Sequence, residues 1–78
     1  MEGFGERLKQ ARTAKGFTQK ELGEKVGITK NQVCQYESEK SYPSYDALVK
    51  LCTILDTSAD WLLGIPEKKD IEEKSKAM

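Results

Sequence analysis

The chain has 78 residues, which indicates a single small domain whose core must be well packed or completed by a partner subunit. Thirteen Lys and Arg residues balance thirteen Asp and Glu residues, and there are two cysteines and no histidine, so a polybasic tail, a disulfide scaffold and a zinc site are excluded. No apolar run is long enough to span a membrane and no secretory signal is visible, so we expect a cytoplasmic protein without membrane contact, metal or cofactor.

Apolar residues recur every three or four positions between turn signals, which predicts short helices and no strands. The first helix ends at Gly16, and the row on its inward face is Phe4, Leu8, Ala11 and Lys15. The second helix begins at Thr18 with a capping box, in which the Thr18 hydroxyl and the Glu21 carboxylate each accept a bond from a free backbone N–H. It ends at Gly27, and its inward residues are Leu22 and Val26.

Three further helices follow in the same style. The third begins at Thr29, where a second capping box extends to Gln32, and its inward residues are Val33 and Tyr36. The fourth begins at Ser44 and has the strongest apolar period of the chain, on Leu48, Leu51, Cys52 and Leu55. The fifth begins at Ser58 and stops at Gly64.

The last part of the chain, residues 67–78, is charged and has a single large aliphatic residue, Ile71. It cannot bury enough apolar surface to fold alone. We therefore assign residues 1–66 to the folded domain and expect the tail to be frayed or to form a short helix against a neighbour.

The most informative stretch of the chain lies between Thr18 and Glu37, where two short helices are joined by a very tight turn. Gly27 supplies the positive φ that such a turn requires. Gly23 lies where the two helices cross, and we expect room there for nothing larger than a methyl group. The apolar seam between the helices consists of Leu22, Val26, Ile28, Val33 and Tyr36. This combination describes a helix-turn-helix.

Over roughly residues 4–64 the chain resembles the phage-repressor and Cro-type, or XRE-like, family of helix-turn-helix domains. The stretches that carry the resemblance are residues 12–22, 26–29, 33–37 and 43–44, together with the ending Ala-Asp-Trp-Leu-Leu-Gly at 59–64. The resemblance implies an all-α, lambda-repressor-like bundle of five helices that binds double-stranded operator DNA, often as a dimer.

The face of the third helix opposite its inward residues carries amide and ammonium groups, on Lys30, Asn31, Gln32 and Gln35, together with Cys34. Asn and Gln can donate and accept at an adenine edge, and Lys donates to guanine. The resemblance implies that Lys30, Asn31 and Gln35 contact bases, sometimes with help from Gln32. The alternatives are a merely solvated face and, for Gln32, the capping box alone.

Contacts with the DNA backbone are implied for residues at both ends of the helix-turn-helix. Thr18 and Gln19 would bind a phosphate at the N-terminus of the second helix, unless Thr18 acts only as a cap. Candidates for the other strand are Ser38, Lys40 and Ser41. Glu39 departs from the family, which often has glycine or a basic residue at this position, and it puts an acid near the expected phosphates.

The resemblance also implies an ion pair between Arg12 and Glu37 that locks the third helix in place, with Arg12 also facing a phosphate. For a homodimer we expect contacts after the third helix, at Tyr42, Pro43, Trp61 and Ile65, which Ile71 of the tail would extend. The cysteines are most simply a core residue, Cys52, and a residue on the DNA side, Cys34, whose oxidation would weaken binding.

These observations favour a sequence-specific DNA-binding regulator that represses transcription from a palindromic operator. An antitoxin-type regulator that also binds a protein partner has the same domain. A protein–protein adaptor that has lost DNA binding is the rival, supported by the balanced charge. An enzyme is disfavoured, because the chain lacks histidine, paired acids in a cleft and a glycine-rich phosphate loop.

Overall fold

The structure is a computed structural model that describes residues 3–65 of the chain. In this range the chain forms five helices and no strand: α1 (Phe4–Ala14), α2 (Gln19–Val26), α3 (Lys30–Glu37), α4 (Tyr45–Leu55) and α5 (Ala59–Leu63). The predicted all-α architecture is confirmed. The predicted tail at 67–78, including Ile71, lies outside the described residues.

The four predicted N-caps are present, because each hydroxyl accepts a bond from the backbone N–H three residues further on. The capping residues are Thr18, Thr29, Ser44 and Ser58. At α2 the box is complete, since the Glu21 carboxylate accepts from the Thr18 N–H at 2.9 Å. At α3 the Thr29 hydroxyl accepts a bond from the Gln32 N–H, but within residues 3–65 the Gln32 side chain makes no return bond to the Thr29 N–H. The prediction of a second capping box is therefore wrong.

The helices end where the backbone turns left-handed. The expected glycines Gly16, Gly27 and Gly64 have φ of 76°, 86° and 76°. Two residues that are not glycine do the same, Glu39 at φ 61° and Asp56 at φ 53°. These two positions are not evident from the sequence, because a carboxylic side chain carries no turn signal as strong as that of glycine.

One apolar core joins all five helices, and its members are Phe4, Leu8, Leu22, Val26, Val33, Tyr36, Leu51, Leu55 and Leu62. Lys15 does not extend the inward face of α1 as expected, because α1 ends at Ala14 and Lys15 is an exposed cap residue. The buried residue one turn after Leu8 is Arg12, which is only 9% exposed. On α4, Leu48 and Cys52 are half-buried at the rim of the core.

Two helical glycines let backbones approach each other closely. A Cβ on Gly5 would collide with the carbonyl oxygen of Glu37, so α1 packs directly against the end of α3. A Cβ on Gly23 would lie 2.8 Å from the carbonyl oxygen of Ile28. The expected close crossing at Gly23 is confirmed, and the space is smaller even than a methyl group, because the tight turn brings a main-chain oxygen to where the Cβ would be.

The N-terminus of α1 is capped from a distance. Gly3, at the local capping position, makes no side-chain cap, and the Gly5 N–H instead donates to the Glu39 carboxylate at 3.1 Å. The Tyr42 hydroxyl donates to the other carboxylate oxygen at 3.2 Å. The Tyr42 ring packs edge-on against Phe4 with 5.9 Å between ring centroids. Glu39 thus joins the loop after α3 to the start of α1.

None of the helices within residues 3–65 has the length and apolar character needed to cross a bilayer.

Candidate nucleic-acid interface

Helix α3 has a buried side and an outward side. Val33 and Tyr36 point into the core, which fixes the rotation of the helix. The outward side carries the exposed residues Lys30, Asn31 and Cys34, flanked by the half-buried Gln32 and Gln35. The structure therefore brings the expected base-contact residues onto one surface of one helix. Its polar groups can donate to or accept from the edges of bases in a major groove, which is wide enough for a helix.

A buried network fixes α3 against α1 and α2. Arg12 Nε donates to Glu37 Oε2 at 2.6 Å, and Arg12 Nη2 reaches Glu37 Oε1 at 3.3 Å. Arg12 Nη1 donates to the carbonyl oxygen of Phe17 at 2.8 Å. The Gln19 amide donates to Glu37 Oε1 at 3.0 Å. The ion pair expected between Arg12 and Glu37 is present, whereas the Gln19 contact was not anticipated.

This network changes the interpretation of Gln19. One amide proton of Gln19 holds Glu37, so the side chain couples the start of α2 to the end of α3. The backbone N–H groups of Gln19 and Lys20 lie in the first turn of α2, where a helix has no internal acceptors, and they remain suited to an anion. The Thr18 hydroxyl accepts a bond as the cap and keeps its own proton for donation.

Three hydroxyl and amine groups follow α3, as expected for backbone contacts, and they are not equivalent. Lys40 is exposed. The Ser38 hydroxyl donates to the carbonyl oxygen of Gln35 at 3.2 Å. The Ser41 hydroxyl donates to the side-chain oxygen of Gln35 at 3.3 Å. Glu39, the acid expected near the phosphates, has its carboxylate directed to Gly5 and Tyr42 in the folded chain.

The residues expected at a dimer contact are partly accessible. Tyr42, Trp61 and Ile65 are exposed and Pro43 is half-buried. Trp61 also lines a shallow groove with residues of α1, of the end of α4 and of the turn after it, among them Ala11, Ala14 and Leu55. Sequence reasoning did not single out two further exposed apolar residues on α4, Tyr45 and Val49. The sequence shows that they lie four positions apart, but that spacing is equally typical of apolar residues on the buried face of a helix.

Within residues 3–65, no three Cys, Asp or Glu side chains are grouped so that they could hold a metal ion. Cys52 is half-buried in an apolar environment, and burial raises the pKa of its thiol, as for a packing residue. Cys34 is exposed on the outward side of α3.

Comparison with known proteins gives one consistent result. A family model described as Helix-turn-helix matches residues 8–62. The HTH-type transcriptional regulator ImmR of Bacillus subtilis strain 168 is 40% identical over 72 residues, which are 92% of this chain and 54% of that protein. The chain spans between 54% and 66% of the length of the first three curated relatives that it matches.

Solved structures agree with this assignment. The P22 c2 repressor in complex with synthetic operator 9T superimposes with a TM-score of 0.73 at 30% identity, covering 76% of this chain and 89% of the repressor chain. SinR, the master regulator for biofilm formation, in complex with DNA superimposes with a TM-score of 0.71 at 38% identity, covering 77% of this chain and 97% of the SinR chain.

Proposed function

Since the chain belongs to the helix-turn-helix family, we propose that it is a sequence-specific DNA-binding regulator that represses transcription by occupying an operator. The observation that carries this proposal is the division of α3 into a buried, paired side and an outward side of amide and ammonium groups. The relatives named HTH-type transcriptional regulators and the repressor–operator structure support it. We further propose that this regulator acts in the cytoplasm.

In this proposal α3 enters the major groove. Lys30, Asn31 and Gln35 contact base edges, and Gln32, free of the capping box, assists them. The α2 N-terminus binds a phosphate through backbone N–H groups beside Thr18 and Gln19. Lys40 faces the backbone after α3, whereas the Ser38 hydroxyl is used within the chain, on the carbonyl oxygen of Gln35. Arg12 holds Glu37 and also faces a phosphate.

Two copies of the chain are required for useful selectivity, because one recognition helix reads only a few base pairs. We propose a homodimer on a two-fold symmetric operator, with half-site centres separated by one helical turn, about 34 Å. Its contact surface is formed by Tyr42, Pro43, Trp61 and Ile65, three of which are exposed in the monomer.

Selection from random duplex DNA tests the proposal. We expect enrichment of a palindrome and a log K that falls with log salt at a slope of roughly −5, if the dimer neutralises about six phosphates. Asn31→Ala should relax preference at one base pair of each half-site. Its matched control, Lys40→Ala, should weaken binding to all sequences about equally and make the salt dependence shallower by about one for each phosphate that the variant no longer neutralises.

A protein-binding role is the second candidate, and the exposed apolar pair of Tyr45 and Val49 on α4 favours it. It takes two forms: an antitoxin-type regulator that binds both DNA and a protein partner, and an adaptor that does not bind DNA. Selection from random duplex DNA at low salt separates these two forms. Enrichment of a sequence is expected for either regulator, whereas no enrichment at all would leave only the adaptor.

A further inference from the structure

The side chain of Gln35 is held by the loop that follows α3. The Ser41 hydroxyl donates to Gln35 Oε1 at 3.3 Å, and both side chains are half-buried. The same loop returns its backbone to the helix, since the Lys40 and Ser41 N–H groups donate to the carbonyl oxygen of Gln35 at 2.9 and 3.4 Å. Gln35 is therefore fixed by its main chain and by the oxygen end of its amide.

This arrangement conflicts with a backbone contact by Ser41. A serine hydroxyl has one proton to donate. In the folded chain that proton goes to Gln35, and the Ser41 N–H is also directed to Gln35. Ser41 therefore has neither donor available for a phosphate while it holds the Gln35 amide.

We propose that Ser41 is a positioning residue that sets the polarity of base recognition by Gln35. A free glutamine amide can turn by 180° and present either its oxygen or its NH₂ group to a base. With Oε1 held by Ser41, the NH₂ end is directed away from the loop as a donor. Gln35 then favours base edges that accept hydrogen bonds, such as guanine N7 and O6, and disfavours cytosine, whose N4 group donates. This inference rests on the proposed function, because it assigns the polarity of one of the proposed base contacts.

Base-resolved binding measurements on the selected operator test the proposal. Gln35→Ala identifies the base pair concerned. Ser41→Ala should reduce the preference for guanine over cytosine as the base that Gln35 contacts by roughly three- to tenfold, which corresponds to one hydrogen bond. It should leave the other positions and the affinity for non-specific DNA unchanged. Ser41→Thr, which keeps the hydroxyl, should restore the discrimination, and Ser41→Ala should have no further effect in a Gln35→Ala background.

Ser38→Ala is the matched control. The Ser38 hydroxyl also binds Gln35, but at the backbone carbonyl oxygen and not at the amide. Its removal should leave the base preference intact. In ¹⁵N NMR spectra of the free protein, Ser41→Ala should shift the side-chain NH₂ resonances of Gln35, whereas Ser38→Ala should not.

The outcomes separate this proposal from the one on which it rests. If Ser41→Ala weakens all sequences equally, Ser41 is a phosphate contact, and the positioning role is overturned while the proposed function stands. The positioning role is also overturned, and the proposed function again stands, if the wild type is sequence-selective and Ser41→Ala keeps the full base preference. A wild type that enriches no sequence overturns the proposed function itself and the specificity role of Ser41 with it.

Discussion

At the scale of single residues, Glu39 and Asp56 show how the same backbone strain is compensated to different degrees. Both have positive φ without being glycine, which costs about 1 kcal/mol through crowding at Cβ. The Glu39 carboxylate accepts bonds from Gly5 and Tyr42. The Asp56 carboxylate forms an exposed pair with Lys15 at 3.9 Å, a kind of contact that contributes little.

Glycine substitutions should therefore act in opposite directions at these two residues. We expect Asp56→Gly to raise the free energy of unfolding by about 0.5 kcal/mol, since it relieves strain against only a small rise in the entropy of the unfolded chain. Glu39→Gly should lower the free energy of unfolding by about 1 kcal/mol, because α1 loses its cap. Urea denaturation of both variants measures the difference. Equal stabilisation by both would show that the carboxylate contributes nothing as a cap.

The role of Glu39 could not be read from the sequence, because its partner Gly5 lies 34 positions away. In the sequence, Glu39 is an acid near the expected phosphates. Only the packing of the loop against α1 shows that its carboxylate points to Gly5 and Tyr42. Arg12 is the contrasting case. Its partner Glu37 is 25 positions away, but the family resemblance supplied the pair.

At the scale of helices, termini were the most predictable feature, since an N-cap involves residues only three positions apart. The four helix N-termini with a capping hydroxyl and the three helix C-termini with a glycine were all predicted from such local signals. Packing was less predictable. The close approach at Gly23 was expected from the tight turn, whereas the contact between α1 and the end of α3 at Gly5 depends on how distant helices cross, which periodicity does not specify.

The capping box of α2 makes a testable contribution to pH dependence. Hydrogen bonds from the Thr18 backbone and side chain, with a smaller effect of Lys25, hold the pKa of Glu21 below its ordinary value of 4.5. A carboxyl whose pKa is lower in the folded state stabilises the fold above pH 4.5, and this contribution is lost as pH falls through the folded pKa.

We expect Glu21→Gln, which keeps an oxygen for the cap but cannot titrate, to flatten the acid limb of the stability curve. Wild type and variant should differ most above about pH 5 and converge below the pKa of Glu21, because both side chains are then neutral. The difference should be small, since solvent screens an exposed carboxylate. Urea denaturation from about pH 3 to pH 7 measures it. Parallel curves over the whole range would contradict the expectation.

The network around Arg12 should carry far more stability than the exposed ion pair between Lys15, at the end of α1, and Asp56, at the end of α4. Arg12→Lys keeps the charge but cannot reproduce the bonds to both Glu37 oxygens and to Phe17, so we expect a loss of about 1–3 kcal/mol in the free energy of unfolding. Lys15→Ala, the control, removes the 3.9 Å pair with Asp56 and should change it by less than about 0.5 kcal/mol.

Comparable losses for Arg12→Lys and Lys15→Ala in chemical denaturation would show that the Arg12 network has no special weight. If Arg12→Lys also weakens operator binding at temperatures where the variant is fully folded, the network positions α3 as well as stabilising the fold.

At the scale of the whole molecule, the proposed dimer places two copies of α3 on one face of the DNA. Trp61→Ala should reduce cooperative binding of two copies to a palindromic operator, while the affinity for an isolated half-site stays the same. Val49→Ala, the control, changes an exposed apolar residue of α4 outside the proposed contact and should leave cooperativity unchanged. Gel-shift titrations on full and half operators distinguish these effects. A single copy per selected, asymmetric site would refute the dimer.

The two-sided construction of α3 also bears on how such a protein acquires new targets. The residues that hold the helix in place, Val33, Tyr36 and Glu37, are distinct from the exposed Lys30, Asn31 and Cys34. With the proposed base contacts on this exposed side, mutations there would alter operator choice at little thermodynamic cost, so retargeting would not have to pass through unfolded intermediates. The helix is in this respect an evolvable module, and a graft of outward residues from another member of the family should carry over that member's operator preference.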